Sequence, residues 1–95
     1  MALVQQTTDA GEMTQLFIQF VMLQSQQALL ALGRHPSPPP GAPPSNIALG
    51  KAFIDQLGMI REKTQGNLTE DEETILDNTI SNLQMAYIQA TAPRA

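Results

Sequence analysis

The 95-residue chain has room for one small domain, and its seven prolines and six glycines reduce the part that can form regular structure. It contains no cysteine, which excludes disulfides and thiolate metal sites and fits a reducing compartment. The net charge is -4 and the five basic residues are scattered, so the chain offers no basic surface for nucleic acid and little attraction to an anionic membrane.

The first residues indicate a cytoplasmic protein. The stretch MALVQQTTDAGEMTQ has acidic and no basic residues before its first apolar run. That is the wrong charge for a secretory signal or a transit peptide. We therefore expect a cytoplasmic protein in which residues 1–12 form a flexible arm ahead of the first helix.

The first predicted helix covers residues 13–32. It contains the run LFIQFVML, in which only Gln19 interrupts the apolar residues, and it ends before Gly33, a common helix stop. Its first half is apolar almost all the way round, a composition that also suits a strand. The length of the segment and its terminal glycine favour a helix.

Residues 33–45, GRHPSPPPGAPPS, are predicted to be neither helix nor strand. Their prolines favour an extended polyproline conformation that spans roughly 40 Å at about 3.1 Å per residue. A Pro-rich linker of that length allows the second helix to run either parallel or antiparallel to the first. The sequence does not choose between these two arrangements.

The second predicted helix covers residues 46–65 and the third covers residues 69–90, and each has an apolar stripe at helical spacing. Gly50 and Gly58 weaken the second helix by roughly 1 kcal/mol each relative to Ala. They are either tolerated or mark a place where another backbone comes close. Residues 91–95 are expected to form a frayed tail.

The stretch EKTQGNLTEDEE, residues 62–73, looks at first like a calcium-binding loop with Gly66 at its sixth position. Two of the oxygen ligands would then fall on Arg61 and Lys63, and cationic side chains do not coordinate calcium. We therefore expect no metal site in this stretch.

A tight turn accounts for the same stretch. Gly66 takes the left-handed conformation that closes the second helix, and Leu68 packs against the two helices. Thr69 is the N-cap of the third helix and Glu72, three residues on, completes a capping box. The sequence therefore predicts an all-α fold of three helices, in which the last two form a tight helical hairpin after the long Pro-rich linker.

Two runs, LFIQFVMLQSQQALLALG and NIALGKAFIDQLGMIREKTQGNLTEDEETILDNTISNLQMAYI, resemble the small bacterial family catalogued as domain of unknown function 1844. The most distinctive part is EKTQGNLTEDEE followed by the amphipathic third helix. The family has better helix formers where this chain has Gly50 and Gly58. The resemblance implies a compact all-helical protein of bacterial type, and it brings no activity, cofactor or site.

No catalytic, cofactor-binding, metal-binding or small-molecule-binding motif is evident in the sequence, so we expect a protein that is not an enzyme. Two short helices cannot cover the whole first helix, which predicts an interaction module or small accessory subunit that forms a homo-oligomer or binds a larger protein. The residues expected at this interface are Leu16, Phe17, Ile18, Phe20, Val21 and Met22. The alternative is a membrane-associated protein with the first helix at the bilayer, although that helix is short and interrupted by glutamines.

Overall fold

The computed structural model describes residues 10–92, and in that range it contains three helices and no strand, so the protein is all-α. The helices are α1 (Ala10–Leu32), α2 (Ile47–Lys63) and α3 (Glu70–Thr91). Each helix packs against both of the others.

The first helix begins earlier than predicted. Because α1 already includes Ala10, the expectation of a flexible arm is wrong for residues 10–12. The rest of that arm, residues 1–9, lies outside the described residues. At the other end α3 includes Thr91, and residues 93–95 of the expected tail are likewise not described.

Contacts between α1 and α2 show that these two helices are antiparallel. The Nε2 of Gln24 donates a hydrogen bond to the Oε1 of Gln56 at 3.0 Å, and nearer the end of α1 the side chain of Leu32 lies against Gly50. Residue numbers therefore rise along α1 as they fall along α2. Of the two arrangements that the linker length allows, the protein adopts the antiparallel one.

The third helix reverses the direction again. Arg61 near the end of α2 binds Asp77 in α3, whereas Ile54 in the middle of α2 lies beside Gln84 further along α3. The chain therefore runs up, down and up, and α3 is parallel to α1. The core lies between the three helices, and its buried side chains are Val21, Ala28, Leu32, Ile54, Leu57, Leu76 and Leu83.

The Pro-rich segment between α1 and α2 starts and ends beside the same turn of α1. Gly33, with φ 72°, and the hydrogen bond from the Arg34 N–H to the Leu29 carbonyl at 2.8 Å close α1. The Asn46 N–H then donates to the Ala31 carbonyl at 2.6 Å. The segment thus forms a loop whose ends are close together, and its extended reach is not used to cross the bundle.

The connection between α2 and α3 is short. The Asn67 N–H donates to the Thr64 carbonyl at 2.9 Å, and Gly66, with φ 81°, is the third residue of that turn. A positive φ at this position suits glycine because other residues lack the freedom to adopt it cheaply. Leu68 follows, half-buried against the core.

The start of α3 has the capping box that the sequence pattern predicts. The Thr69 hydroxyl accepts from the Glu72 N–H at 3.1 Å, and the Glu72 carboxylate accepts from the Thr69 N–H at 2.8 Å. The same carboxylate accepts from the Thr14 hydroxyl of α1 at 2.6 Å. Hydrogen bonds from Thr14 and from the Thr69 backbone hold the pKa of the buried Glu72 below its usual value of 4.5.

The two glycines of α2 have different surroundings. A Cβ on Gly50 would lie 2.5 Å from Cδ2 and 2.7 Å from Cγ of the buried Leu32. The end of α1 and the start of α2 therefore approach each other closely there. A Cβ on Gly58 would have no heavy atom within 4 Å. Gly50 therefore permits the close contact between α1 and α2, whereas Gly58 makes no such contact and only weakens α2.

Alanine substitutions at these glycines are expected to have opposite effects on stability. Gly58→Ala should raise the free energy of unfolding by about 1 kcal/mol because alanine favours the helix. Gly50→Ala should lower it, because overpacking against Leu32 costs about 1–3 kcal/mol and outweighs the same helix gain. Urea denaturation of both variants measures the difference. Stabilisation of similar size at both positions would contradict the close contact.

Acid is expected to weaken the fold through Glu72. Its folded-state pKa is below the unfolded value, so its contribution is present above pH 4.5 and is lost as the pH falls through the folded pKa. Glu72→Gln should therefore flatten the decline in unfolding free energy between about pH 5 and pH 2, and Thr14→Val should flatten it in part. The control is Glu73→Gln, at an exposed position on the same turn. Equal slopes for the wild type and Glu72→Gln would refute this role.

Candidate interaction surface

One face of α1 presents a row of apolar side chains to solvent. The core-facing side of the helix, which includes Val21 and Ala28, is fully buried. A second row recurs at spacings of three and four residues, and its side chains are between 41% and 58% exposed. The members of this row, which we call the α1 stripe, are Met13, Leu16, Phe20 and Leu23.

Three of the six predicted interface residues are exposed. Leu16 and Phe20 belong to the α1 stripe, whereas Met22 is exposed on a different face of the helix, two residues beyond Phe20. The prediction omitted Met13 and Leu23. Their spacing from Leu16 and Phe20 along one helical face is the signal that identifies them.

The other three predicted residues lie closer to the core. Val21 is fully buried among side chains of all three helices, so its assignment to an interface is wrong. Phe17 is half-buried and packs against the same core, and Ile18 is half-buried as well. The reason is the rotation of α1, which turns Val21 between α2 and α3 and so turns the stripe outward.

The stretch of α1 that contains the stripe, residues 13–32, carries no formal charge, and Glu12 lies immediately before it. None of the nine acidic and five basic residues of the chain lies between positions 13 and 32. The neighbouring exposed polar residues are glutamines, including Gln15, Gln19 and Gln26. The α1 surface can therefore pack against a second apolar surface without burying an ionised group.

A cleft of about 650 Å³ opens where α1 ends and α2 begins. It is lined by Leu30 of α1, by Leu49 and Phe53 of α2, and by Pro43 and Pro44 of the linker, among others. The lining residues include no Asp, Glu, His, Lys or Arg. The cleft is mainly apolar, although Gln27, Ser45 and Asn46 also line it, and it lacks a titratable group for acid–base chemistry.

Charged and metal-binding residues do not assemble into a site within residues 10–92, where no group of three or more His, Asp or Glu side chains is arranged to hold a metal ion. Asp77 of α3 accepts hydrogen bonds from Nε and Nη2 of Arg61, which hold the pKa of Asp77 below its usual value. The imidazole of His35 accepts a hydrogen bond from the Ser37 N–H through Nδ1 at 3.0 Å.

Among residues 10–92, none of the helices α1, α2 and α3 is both long and apolar enough to cross a bilayer.

The model of one protein family, Domain of unknown function (DUF1844), matches residues 14–89, which include most of α1 and α3, all of α2 and the turn between α2 and α3. The chain belongs to the DUF1844 family. This confirms the resemblance seen in the sequence, and it places the α1 stripe from Leu16 onward within the part that defines the DUF1844 match. No curated protein and no solved structure matches the chain.

Aspartate substitutions on the two faces of α1 are expected to separate the core from the surface. Val21→Asp should abolish folding, because an unpaired charge would be buried among the helices. Leu23→Asp should keep the helical far-ultraviolet circular dichroism spectrum, because that side chain is 55% exposed. If Leu23→Asp unfolds the protein and Val21→Asp does not, the rotation of α1 described above is incorrect.

Proposed function

We propose that this protein is a non-enzymatic interaction module, a small accessory subunit that self-associates through the α1 stripe. In this proposal α2 and α3 form a tight hairpin that holds α1 in place, and the Pro-rich linker is a spacer. The observation that carries the proposal is the stripe of four large apolar side chains on one face of α1.

The α1 stripe leaves a large apolar area in water. Full burial of a large apolar side chain is worth about 1.5–3 kcal/mol, and the four side chains are roughly half exposed, so together they forgo on the order of 3–6 kcal/mol. That is a large fraction of the 5–15 kcal/mol by which small domains are typically stable. A contiguous apolar row of this kind is typical of a surface that is covered in the functional state.

Charge favours a second copy of the same chain as the partner. Two copies with a net charge of -4 repel each other, and the repulsion is weakest where no ionised group is brought close to another. The uncharged stretch from position 13 to 32 is such a surface. A symmetric homodimer is the commonest closed assembly that covers one patch on each copy.

The other exposed apolar residues form smaller groups. On α2 the exposed residues Leu49 and Met59 lie ten positions apart, and α3 exposes a pair, Met85 and Ile88. Isolated exposed apolar side chains are normal on protein surfaces and indicate no partner by themselves. The pair on α3 is nevertheless useful, because it resembles two stripe residues in exposure and so supplies a control.

The same proposal includes a cytoplasmic location and excludes catalysis and nucleic acid binding. The apolar cleft contributes no titratable side chain to a reaction. The helix that carries the stripe has neither Lys nor Arg, so it has no cation for a phosphate backbone or an anionic headgroup. A larger protein partner and a membrane surface are the outcomes to be considered if self-association fails.

The test compares two double variants with similar loss of exposed apolar surface. Wild type is expected to be a dimer at micromolar concentration by light scattering after gel filtration, with about twice the 10.3 kDa chain mass. Leu16→Gln/Leu23→Gln should shift it to monomer with unchanged helical content. Met85→Gln/Ile88→Gln, which changes side chains of nearly the same exposure, should leave the dimer intact.

A folded wild-type monomer would refute self-association. Sedimentation with neutral and anionic vesicles would then test the membrane surface, and co-purification from the native cells would test a larger protein partner. A dimer that dissociates only in the α3 variant would refute the role of the α1 stripe.

A further inference from the structure

The spacing of the α1 stripe continues towards the end of the helix. Gln27 and Leu30 occupy the next two positions on the same face, and both line the apolar cleft. Spacings of three and four that alternate in this way are the a and d positions of a heptad repeat, the pattern of helices that pair side by side. The six positions, which we call the α1 seam, are Met13, Leu16, Phe20, Leu23, Gln27 and Leu30.

We propose that two copies pair their α1 seams in antiparallel orientation, and that Met13 of each copy seats in the apolar cleft of the other. This inference rests on the proposed self-association through α1. It adds the orientation of the two copies, their register and the role of the cleft.

The register follows from the seam positions. In an antiparallel pair an a position faces a d position, and a single alignment opposes all six. In that alignment Met13 faces Leu30 of the second copy, Leu16 faces Gln27, and Phe20 faces Leu23. Every other antiparallel alignment leaves at least two seam residues without an opposite.

Shape favours the antiparallel orientation. The exposed Met13 lies at the start of the seam, whereas the cleft borders the end of the seam beside Leu30. Antiparallel pairing places an exposed Met13 against a cleft twice, once at each end of the dimer. Parallel pairing places two clefts against each other and leaves both unfilled. Methionine suits this position because its unbranched side chain fits irregular spaces.

Charge favours the same orientation. The first turn of α3 contains four consecutive acidic residues, Glu70, Asp71, Glu72 and Glu73. Glu72 accepts a hydrogen bond from Thr14 near the start of α1. A parallel pair would therefore bring two acidic corners to one end. In the proposed register Thr14 lies opposite Leu29 of the second copy, so an antiparallel pair separates the two acidic turns by roughly 22 Å at about 1.5 Å per residue, which is more than twice the screening length of about 8 Å at physiological salt.

Thiol crosslinking tests the orientation, because the chain has no cysteine of its own. Leu16→Cys and Gln27→Cys are prepared separately, one of them with a mass tag, and are treated with a short thiol crosslinker alone and after mixing. The antiparallel register predicts a mixed dimer in the combined sample, with at least about tenfold less product in either variant alone, because linked cysteines must be close in space. A parallel seam would instead link each variant to itself and would overturn the inference.

A second pair of variants tests the cleft. Met13→Cys mixed with Leu49→Cys is expected to give a mixed dimer, because Leu49 lines the cleft. Linkage of positions 16 and 27 without linkage of positions 13 and 49 would overturn the role of the cleft.

Light scattering of the same samples separates the two proposals. Monomers in every sample would refute the self-association itself, whereas dimers that link in a parallel pattern would refute only the antiparallel orientation. Dimers that give no link at any of these positions would refute both the seam and the stripe.

Discussion

The arrangement of the three helices depends on the contact between the end of α1 and the start of α2. The Asn46 N–H binds the Ala31 carbonyl, and Gly50 lets the second helix approach Leu32. Because α2 starts against the last turn of α1, it has to run back along that helix, and the short turn after α2 makes α3 return parallel to α1. The same contact brings the linker prolines beside Leu49 and Phe53 and so forms the cleft.

The opposite end of α1 is held by a different interaction. The Glu72 carboxylate accepts hydrogen bonds from the Thr69 N–H at the start of α3 and from the Thr14 hydroxyl near the start of α1. This one buried carboxylate therefore joins the two helices. With both ends held, α1 cannot rotate freely about its axis. Val21 then points into the core, and the stripe, centred about a third of a turn away on the helix, stays in solvent. The exposure of the stripe is thus a consequence of how the bundle is closed.

Local features were accessible from the sequence, whereas the orientation of α1 was not. The existence of the helices, the turn at Gly66 and the capping box of Thr69 and Glu72 depend on residues a few positions apart. The run LFIQFVML is apolar on nearly every side, so its periodicity does not say which face is buried, and Val21 was misplaced for that reason. The Thr14 hydrogen bond joins residues far apart in the chain, and no local pattern marks it.

The acidity of the chain has a local explanation. Four of its nine acidic residues lie in the first turn of α3, where negative charge is favoured by the helix dipole, and Glu72 among them also binds Thr14. A further carboxylate, Asp77, is neutralised by Arg61 of α2. Much of the negative charge therefore serves the fold and requires no cationic partner. The α1 stripe differs, because packing of the three helices does not account for it, and this is the reason to look for function there.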